Sequence, residues 1–245
     1  MCTLAVALGA DRRWPVVVAA NRDERLARPA EDWALRATPG GRRWAGPRDV
    51  EAGGTWIGVS ARGVLAALTN YHAPFAWYPD RRRRSRGDLV PLLMDAADAA
   101  AARSAVAGLE AAAFNPFHLV VADARSAFLW WYDGERASLE PLGPGLHVVT
   151  EDSPHGLGAR GDLVRARWPV DLSPARLREV LTLHAPPHPT STCIHHEPLY
   201  ATRSSAVLRL APDLAHAELY AADGRPCTTP HEDRSALLGR LARSA

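Results

Sequence analysis

Two runs near the start of the chain, residues 2–8 and 15–20, are almost continuously apolar. A strand that is apolar at odd and even positions alike is covered on both faces, so both runs predict strands inside the molecule. The turn at 9–14 joins them as a hairpin, and Asn21-Arg22-Asp23-Glu24 ends the second strand with four polar groups. Residues 25–54, rich in Arg, Pro and Gly, read as irregular. Residues 55–60 and 64–69 form a second hairpin about Ala61-Arg62-Gly63, closed by Asn70. A polar and aromatic loop to residue 86 precedes two Ala- and Leu-rich stretches, 87–99 and 100–113, which predict helices. Asn115-Pro116 stops the helical run, and four short strands follow at 117–123, 126–132, 136–140 and 145–150. Helices are predicted again at 157–168 and 174–184, the second opened by Ser173-Pro174, an N-cap followed by proline at the first helical position. Strands at 192–196, 204–210 and 216–221 and a last helix at 232–243 complete the pattern.

Blocks of strands separated by blocks of helices lack the alternation of a doubly wound parallel sheet. Short hairpin turns imply antiparallel pairing, so the expected class is α+β, two antiparallel sheets with helices outside. No linker or repeat interrupts the 245 residues, and a single domain over 1–245 is expected. The 29 basic residues nearly balance the 27 acidic ones, which excludes the basic excess of a nucleic-acid binder. Every basic residue is Arg; without Lys there is neither Schiff-base chemistry nor a P-loop. No apolar run reaches the length of about 18 residues that a transmembrane helix needs. The start lacks the basic and apolar regions of a signal peptide, and three cysteines are too few for a disulfide framework. A reducing, cytoplasmic location is therefore expected.

Cys2 carries the most chemistry. Removal of Met1 is favoured before a small residue, and it leaves one residue with both a thiol nucleophile and a free α-amine. Their unperturbed pKa values, about 8.5 and about 7.7–8.0, lie close enough for the amine to take the thiol proton near neutral pH. Pairing of the first two strands brings residues 21–23 to the same sheet end as Cys2. Asp23 is placed to hold the ammonium, and Arg22 to favour a thiolate or bind an anionic ligand. Asn70, at a strand end, offers an amide donor to a developing oxyanion. Arg203, at the start of a late strand, is expected in the same cleft. Cys2, Asp23, Asn70 and Arg203 form the expected catalytic set, with Asn21, Arg22 and Tyr71 as substrate-binding neighbours. His184, His188, Cys193, His195, His196 and Glu197 have the composition of a metal cluster. Their spacings match no standard zinc arrangement, so neither metal nor cofactor is expected. The Arg81–Arg84 run reads as a solvated loop.

The start Met-Cys-Thr, the run Ala19-Ala20-Asn21-Arg22-Asp23-Glu24, Gly53-Gly54-Thr55-Trp56-Ile57-Gly58, Leu68-Thr69-Asn70-Tyr71, Ser85-Arg86-Gly87 and Tyr200-Ala201-Thr202-Arg203-Ser204-Ser205 occur in order along most of the chain. Together they resemble the NRDE family, that of transport and Golgi organisation protein 2. The resemblance implies a fold akin to the N-terminal nucleophile hydrolases, an αββα sandwich. It also implies likeness to the branch containing penicillin V acylase and bile salt hydrolase, in which an N-terminal Cys attacks an amide carbonyl. The matching positions are Cys2 as nucleophile, Asp23 holding its amine, Asn70 in the oxyanion hole and Arg203 near the thiol. Ala20 stands where the acylase branch has Arg. Glu151 or Asp152 stands where that branch has a second oxyanion Asn, and a carboxylate there repels an oxyanion. The expected activity is hydrolysis of a non-peptide C–N amide in a small molecule. The alternative is a non-catalytic carrier or trafficking protein that holds a hydrophobic ligand, such as haem or a lipid, in the same cleft. Nothing in the sequence sets the oligomeric state.

Overall fold

The computed structural model describes residues 2–72, 79–185 and 190–244. In chain order, the strands of the first half are β1 (Thr3–Leu8), β2 (Val16–Arg25), β3 (Ala30–Ala37), β4 (Arg43–Asp49), β5 (Ile57–Ser60), β6 (Leu65–Asn70) and β7 (Phe117–Ala122). Those of the second half are β8 (Ala127–Tyr132), β9 (Ala137–Pro141), β10 (Gly145–Thr150), β11 (His195–His196), β12 (Tyr200–Leu210), β13 (Glu218–Ala222) and β14 (Glu232–Asp233). The helices are α1 (Leu89–Leu93), α2 (Ala99–Ala107), α3 (Ala159–Arg167), α4 (Pro174–Leu181) and α5 (Ser235–Ala242). One sheet runs β10-β1-β2-β12-β13-β14, with β11 on the far end of β12; the other runs β3 to β9 in sequence order. Their strand pairings are antiparallel throughout.

Period-two alternation decides what each strand residue meets. On β1, Leu4, Val6 and Leu8 point between the sheets, where they join Val16 and Val18 of β2, Leu208 of β12, and Ile57, Leu65, Val120 and Leu129 of the other sheet. Ala5 and Ala7 point the other way, toward Val164 of α3 and Val180, Leu177 and Leu181 of α4. The second sheet is covered outside by α1 and α2, whose Leu89, Val90, Leu93, Ala102 and Val106 pack on Ala66, Leu119 and Val121. Apolar residues at both parities of β1 and β2 thus follow from a sheet enclosed between a partner sheet and a helical layer. The α5 side chains Leu237, Leu238 and Leu241 instead join the inter-sheet core. Two helix starts are capped: Asp98 accepts from the Ala101 N–H at 2.8 Å, and Ser173 from that of Arg176 at 3.4 Å.

Three departures from the sequence reading bear on the site. Residues 25–54 are not irregular, because β3 and β4 form a hairpin within them. Edge strand β3 is largely uncovered, which is why it lacks an apolar signature. Second, Asn21-Arg22-Asp23-Glu24 does not end β2; the strand continues to Arg25, paired with the first half of β12. Third, the two helices expected at 87–99 and 100–113 are both present but shorter, as α1 and α2. Before α1, the backbones at Gly54 and Gly87 pack directly together. A Cβ on Gly54 would lie 2.5 Å from Gly87 backbone atoms, so glycine is needed there. Among the described residues, no helix is long and apolar enough to cross a membrane.

The inter-sheet core supplies the first test. Leu208 is fully buried between the sheets, so Leu208→Ala should lower unfolding stability by about 2–5 kcal/mol, measured by denaturant titration.

Candidate active site

Residues at the end of β1, along β2 and at the end of β6 line a cleft of about 1070 Å³, the size of a small-molecule site. Cys2, Arg22, Asp23, Asn70 and Tyr71 line it together. The β1–β2 register, which sets Thr3 opposite Asn21, brings Cys2 to the Arg22–Asp23 segment, and its Sγ lies 3.9 Å from the Asp23 carbonyl oxygen. The same carbonyl accepts from the Tyr200 hydroxyl at 2.8 Å. Asn70, last residue of β6, and Tyr71 face the cleft from the second sheet, with the Tyr71 ring 4.7 Å from that of His118. Asn70, Tyr71 and Arg22 thus share one cleft with Cys2.

The Asp23 carboxylate is buried. Its Oδ1 accepts from the Thr202 hydroxyl at 2.6 Å, while Oδ2 is buried with no hydrogen-bond partner among the described residues. Burial pushes this carboxyl up to about 6, against the opposing effects of Thr202 and Arg160. The Cys2 thiol is likewise raised, chiefly by burial, with the Asp23 and Glu151 carboxylates acting in the same direction. The expectation was a thiolate favoured by neighbouring arginines; burial instead moves the thiol above its ordinary value.

Arg203 does not join the site. A β-bulge shifts the β2–β12 register so that Thr202 faces Asp23 and Ser204 faces Arg22, leaving Arg203 as the unpaired extra residue. Its guanidinium pairs with Asp223 and lines a separate small cavity behind Arg22 and Trp56. Arg22 and Arg86 supply the positive charge expected from it. Both line the cleft and interact favourably with a charged Cys2, and burial pulls the Arg86 guanidinium down to about 10. Arg86 was visible in Ser85-Arg86-Gly87, but nothing in the sequence aimed it at Cys2. Asn21 is also displaced. Side chains alternate along β2, so it points to the helical layer, donating to the carbonyls of Leu181 and Thr192 at 2.9 and 2.8 Å. It braces the strand and does not line the cleft.

Ion pairs order the floor. Arg22 stacks on Trp56, 4.2 Å from guanidinium to ring centre, and donates to Asp49 at 3.1 Å, which also receives Arg28 at 2.6 Å. Burial opposes the Asp49 charge, yet hydrogen bonds from Arg28 and the Ala52 N–H hold its pKa below the ordinary value. Glu151, placed by the resemblance where a second oxyanion donor stands, is fully buried, 3.5 Å from Arg160 and 3.4 Å from His72. Arg81, Arg83, Arg84 and Arg86 form one wall. Arg83 and Arg86 donate to the neutral carbonyls of Phe114 and Pro116, and Arg84 lies over the Phe114 ring. Arg81, Arg82 and Arg84 are exposed, as a solvated loop requires, and Arg81, Arg83 and Arg84 of the same run also line the cleft. Elsewhere, His184, Cys193, His195 and Cys227 form one cluster; His188 lies outside the described residues.

Paired antiparallel sheets between helices, with a cleft at the end of the first strand, define the N-terminal nucleophile hydrolase fold. The Caenorhabditis elegans N-acylethanolamine-hydrolyzing acid amidase ortholog superposes with a TM-score of 0.62 at 15% identity, over 85% of this chain and 92% of that one. A mutant of the conjugated bile acid hydrolase from Clostridium perfringens gives a TM-score of 0.55 at 8% identity, over 98% and 94%. At such identities the likeness is one of fold. The chain belongs to the transport and Golgi organisation 2 family, whose model matches residues 1–169. Transport and Golgi organization protein 2 homologs from Bos taurus and Homo sapiens are 35% and 34% identical over 145 residues, 55% of this chain and 50% of each relative. The chain spans about half the length of these curated relatives.

The Asp23 carboxyl generates a test of stability against pH. Its folded pKa of about 6 lies above its ordinary 3.8, so the unfolded chain loses this proton first. Stability from the protonated carboxyl is full below about pH 4 and is lost as pH rises to about 6. In the unprocessed chain, Asp23→Asn, which keeps an acceptor for Thr202, should match the parent near pH 4. It should exceed the parent by on the order of 2–3 kcal/mol at pH 7, measured by urea denaturation.

Proposed function

We propose that this protein is an N-terminal cysteine amidohydrolase that cleaves a non-peptide C–N amide bond in a small molecule carrying an anionic group. One observation carries the reading: Cys2 opens onto the cleft beside a buried Asp23 whose second carboxylate oxygen lacks a donor among the described residues. Removal of Met1 would free the Cys2 α-amine, whose N–H would donate to Asp23 and whose ammonium form, once it has taken the thiol proton, Asp23 would stabilise. The thiol, raised by burial, then needs a base, and the amine of the same residue supplies it.

Cys2 Sγ attacks the acyl carbon while its proton passes to the amine. The Asn70 amide donates to the oxyanion, and the amine returns the proton to the leaving nitrogen as the C–N bond breaks. A thioester remains. Water, deprotonated by the same amine, attacks it, releases the acid and restores the thiol. Arg81, Arg83, Arg84 and Arg86 in the lining favour an anionic substituent on the substrate. The charged lining of the described cleft also ranks the enzyme above a carrier of a hydrophobic ligand.

Intact mass of the protein from its native host should show loss of Met1. Incubation with N-acyl amino acids should give an acyl adduct on Cys2 and release free acid, both abolished by Cys2→Ala. Retained Met1 sinks the mechanism. Haem or lipid binding that survives Cys2→Ala, without turnover of any amide, would favour the carrier.

Two further outcomes follow from the same assay. Asn70→Ala should lower kcat about 10²–10³-fold through loss of one oxyanion donor. Arg86→Gln should raise KM for carboxylate-bearing amides about tenfold or more while leaving neutral analogues nearly unchanged, measured by steady-state kinetics on matched pairs.

A further inference from the structure

Away from the cleft, three distant segments bring four metal-binding side chains to one point. His184 follows α4, Cys193 and His195 precede β12, and Cys227 lies in the loop after β13. One ligand atom from each lies within 4.8 Å of the other three. Cys193 Sγ is 3.5 Å from Cys227 Sγ and 3.6 Å from His195 Nε2, and Cys227 Sγ is 3.3 Å from that nitrogen. The His184 and His195 rings are 4.9 Å apart, centre to centre. Tetrahedral zinc, with bonds of about 2.3 Å to sulfur and about 2.0–2.1 Å to nitrogen, requires edges of about 3.8 Å between sulfurs and about 3.5 Å between sulfur and nitrogen. The measured separations match those edges to within a few tenths of an ångström. Both cysteines are free thiols.

We propose that His184, Cys193, His195 and Cys227 bind a zinc ion in a closed, structural Cys2His2 site. Two thiolates and two imidazoles in a tetrahedral array select zinc over the hard cations, which prefer oxygen. Binding releases two thiol protons, the imidazoles coordinate as neutral ligands, and the two thiolate charges balance the dication. The chain order His184, Cys193, His195, Cys227 fits no finger or knuckle spacing, which is why the sequence reading assigned no metal. The loop after α4, the approach to β12 and the turn after β13 bring the ligands together, as sheet pairing dictates.

The ion would clip these three segments at the back of the cleft. Ile194, between two ligands, donates its N–H to Thr202 Oγ1 at 2.8 Å, and that hydroxyl donates to Asp23 Oδ1 at 2.6 Å. The metal therefore holds the segment that orients Asp23. Zinc binding itself stands independently of the amidohydrolase reading, and its test reads metal and not turnover.

The full chain, purified without chelator, should carry one zinc per molecule by elemental mass spectrometry. After chelation, Co²⁺ should restore stoichiometric binding with the intense visible bands of a tetrahedral site and a thiolate charge-transfer band. Cys227→Ser should weaken zinc binding by about a hundredfold or more. Cys227→His should retain a tetrahedral cobalt spectrum with reduced charge-transfer intensity, separating ligand loss from misfolding. Cys2→Ala should leave the spectrum unchanged. Metal-free protein whose mass is lower by two hydrogens, with Cys193 and Cys227 in one cross-linked peptide, would overturn the site. So would an octahedral cobalt spectrum indifferent to Cys227→Ser.

Discussion

The candidate site depends on how one buried carboxylate is held. Asp23 sits within a strand, out of solvent, with one oxygen on the Thr202 hydroxyl and the other unsatisfied. An unmet acceptor in a low-dielectric interior is expensive, and its raised pKa expresses that expense. A structure keeps such a group only where surrounding packing over-determines it. Here β1, β12 and the α4 side of the sheet enclose the group, and the bulge in β12 presents Thr202 in place of Arg203. A regular register would set Arg203 opposite Asp23, where a guanidinium would neutralise the carboxylate and remove its capacity to hold an ammonium.

Electrostatics divides the cleft into two kinds of charge. On the floor, Arg22 and Arg28 share Asp49, so those charges mainly position one another and the Trp56 ring. On the opposite wall, Arg83, Arg84 and Arg86 rest on carbonyls and an aromatic face, which orient a guanidinium without cancelling its charge. The first arrangement builds a rigid surface and the second presents a positive field to a ligand. Net charge over the whole chain, +2, conceals this local asymmetry.

Burial also changes what Cys2 needs. A solvent-exposed thiol between arginines would ionise readily, whereas burial raises this one above its ordinary value. Attack by such a thiol requires a base in contact with it. The free amine of a mature N-terminal cysteine meets that need without a histidine partner, and an oriented Asp23 steadies the ammonium it becomes.

Much of this was legible in the linear pattern. Apolar residues at both parities of residues 3–8 and 16–20 announced an enclosed sheet, because only burial on both faces tolerates them. Hairpin turns at 9–14 and at Ala61-Arg62-Gly63 announced antiparallel order. Pairing of the first two strands alone sets Cys2 beside the Arg22–Asp23 segment, whereas the stacking of the two sheets brings Asn70 and Tyr71 to the same cleft. Strands β3 and β4 escaped notice because β3, at an open sheet edge, needs no apolar face. The places of Asn21, Arg86 and Arg203 were decided only in three dimensions. Strand parity turned Asn21 to the helices, a one-residue bulge removed Arg203, and packing of Gly54 on Gly87 brought Arg86 to the cleft. The convergence of His184, Cys193, His195 and Cys227 follows from pairing between strands far apart in sequence, and such non-local contacts leave no periodic trace in the chain.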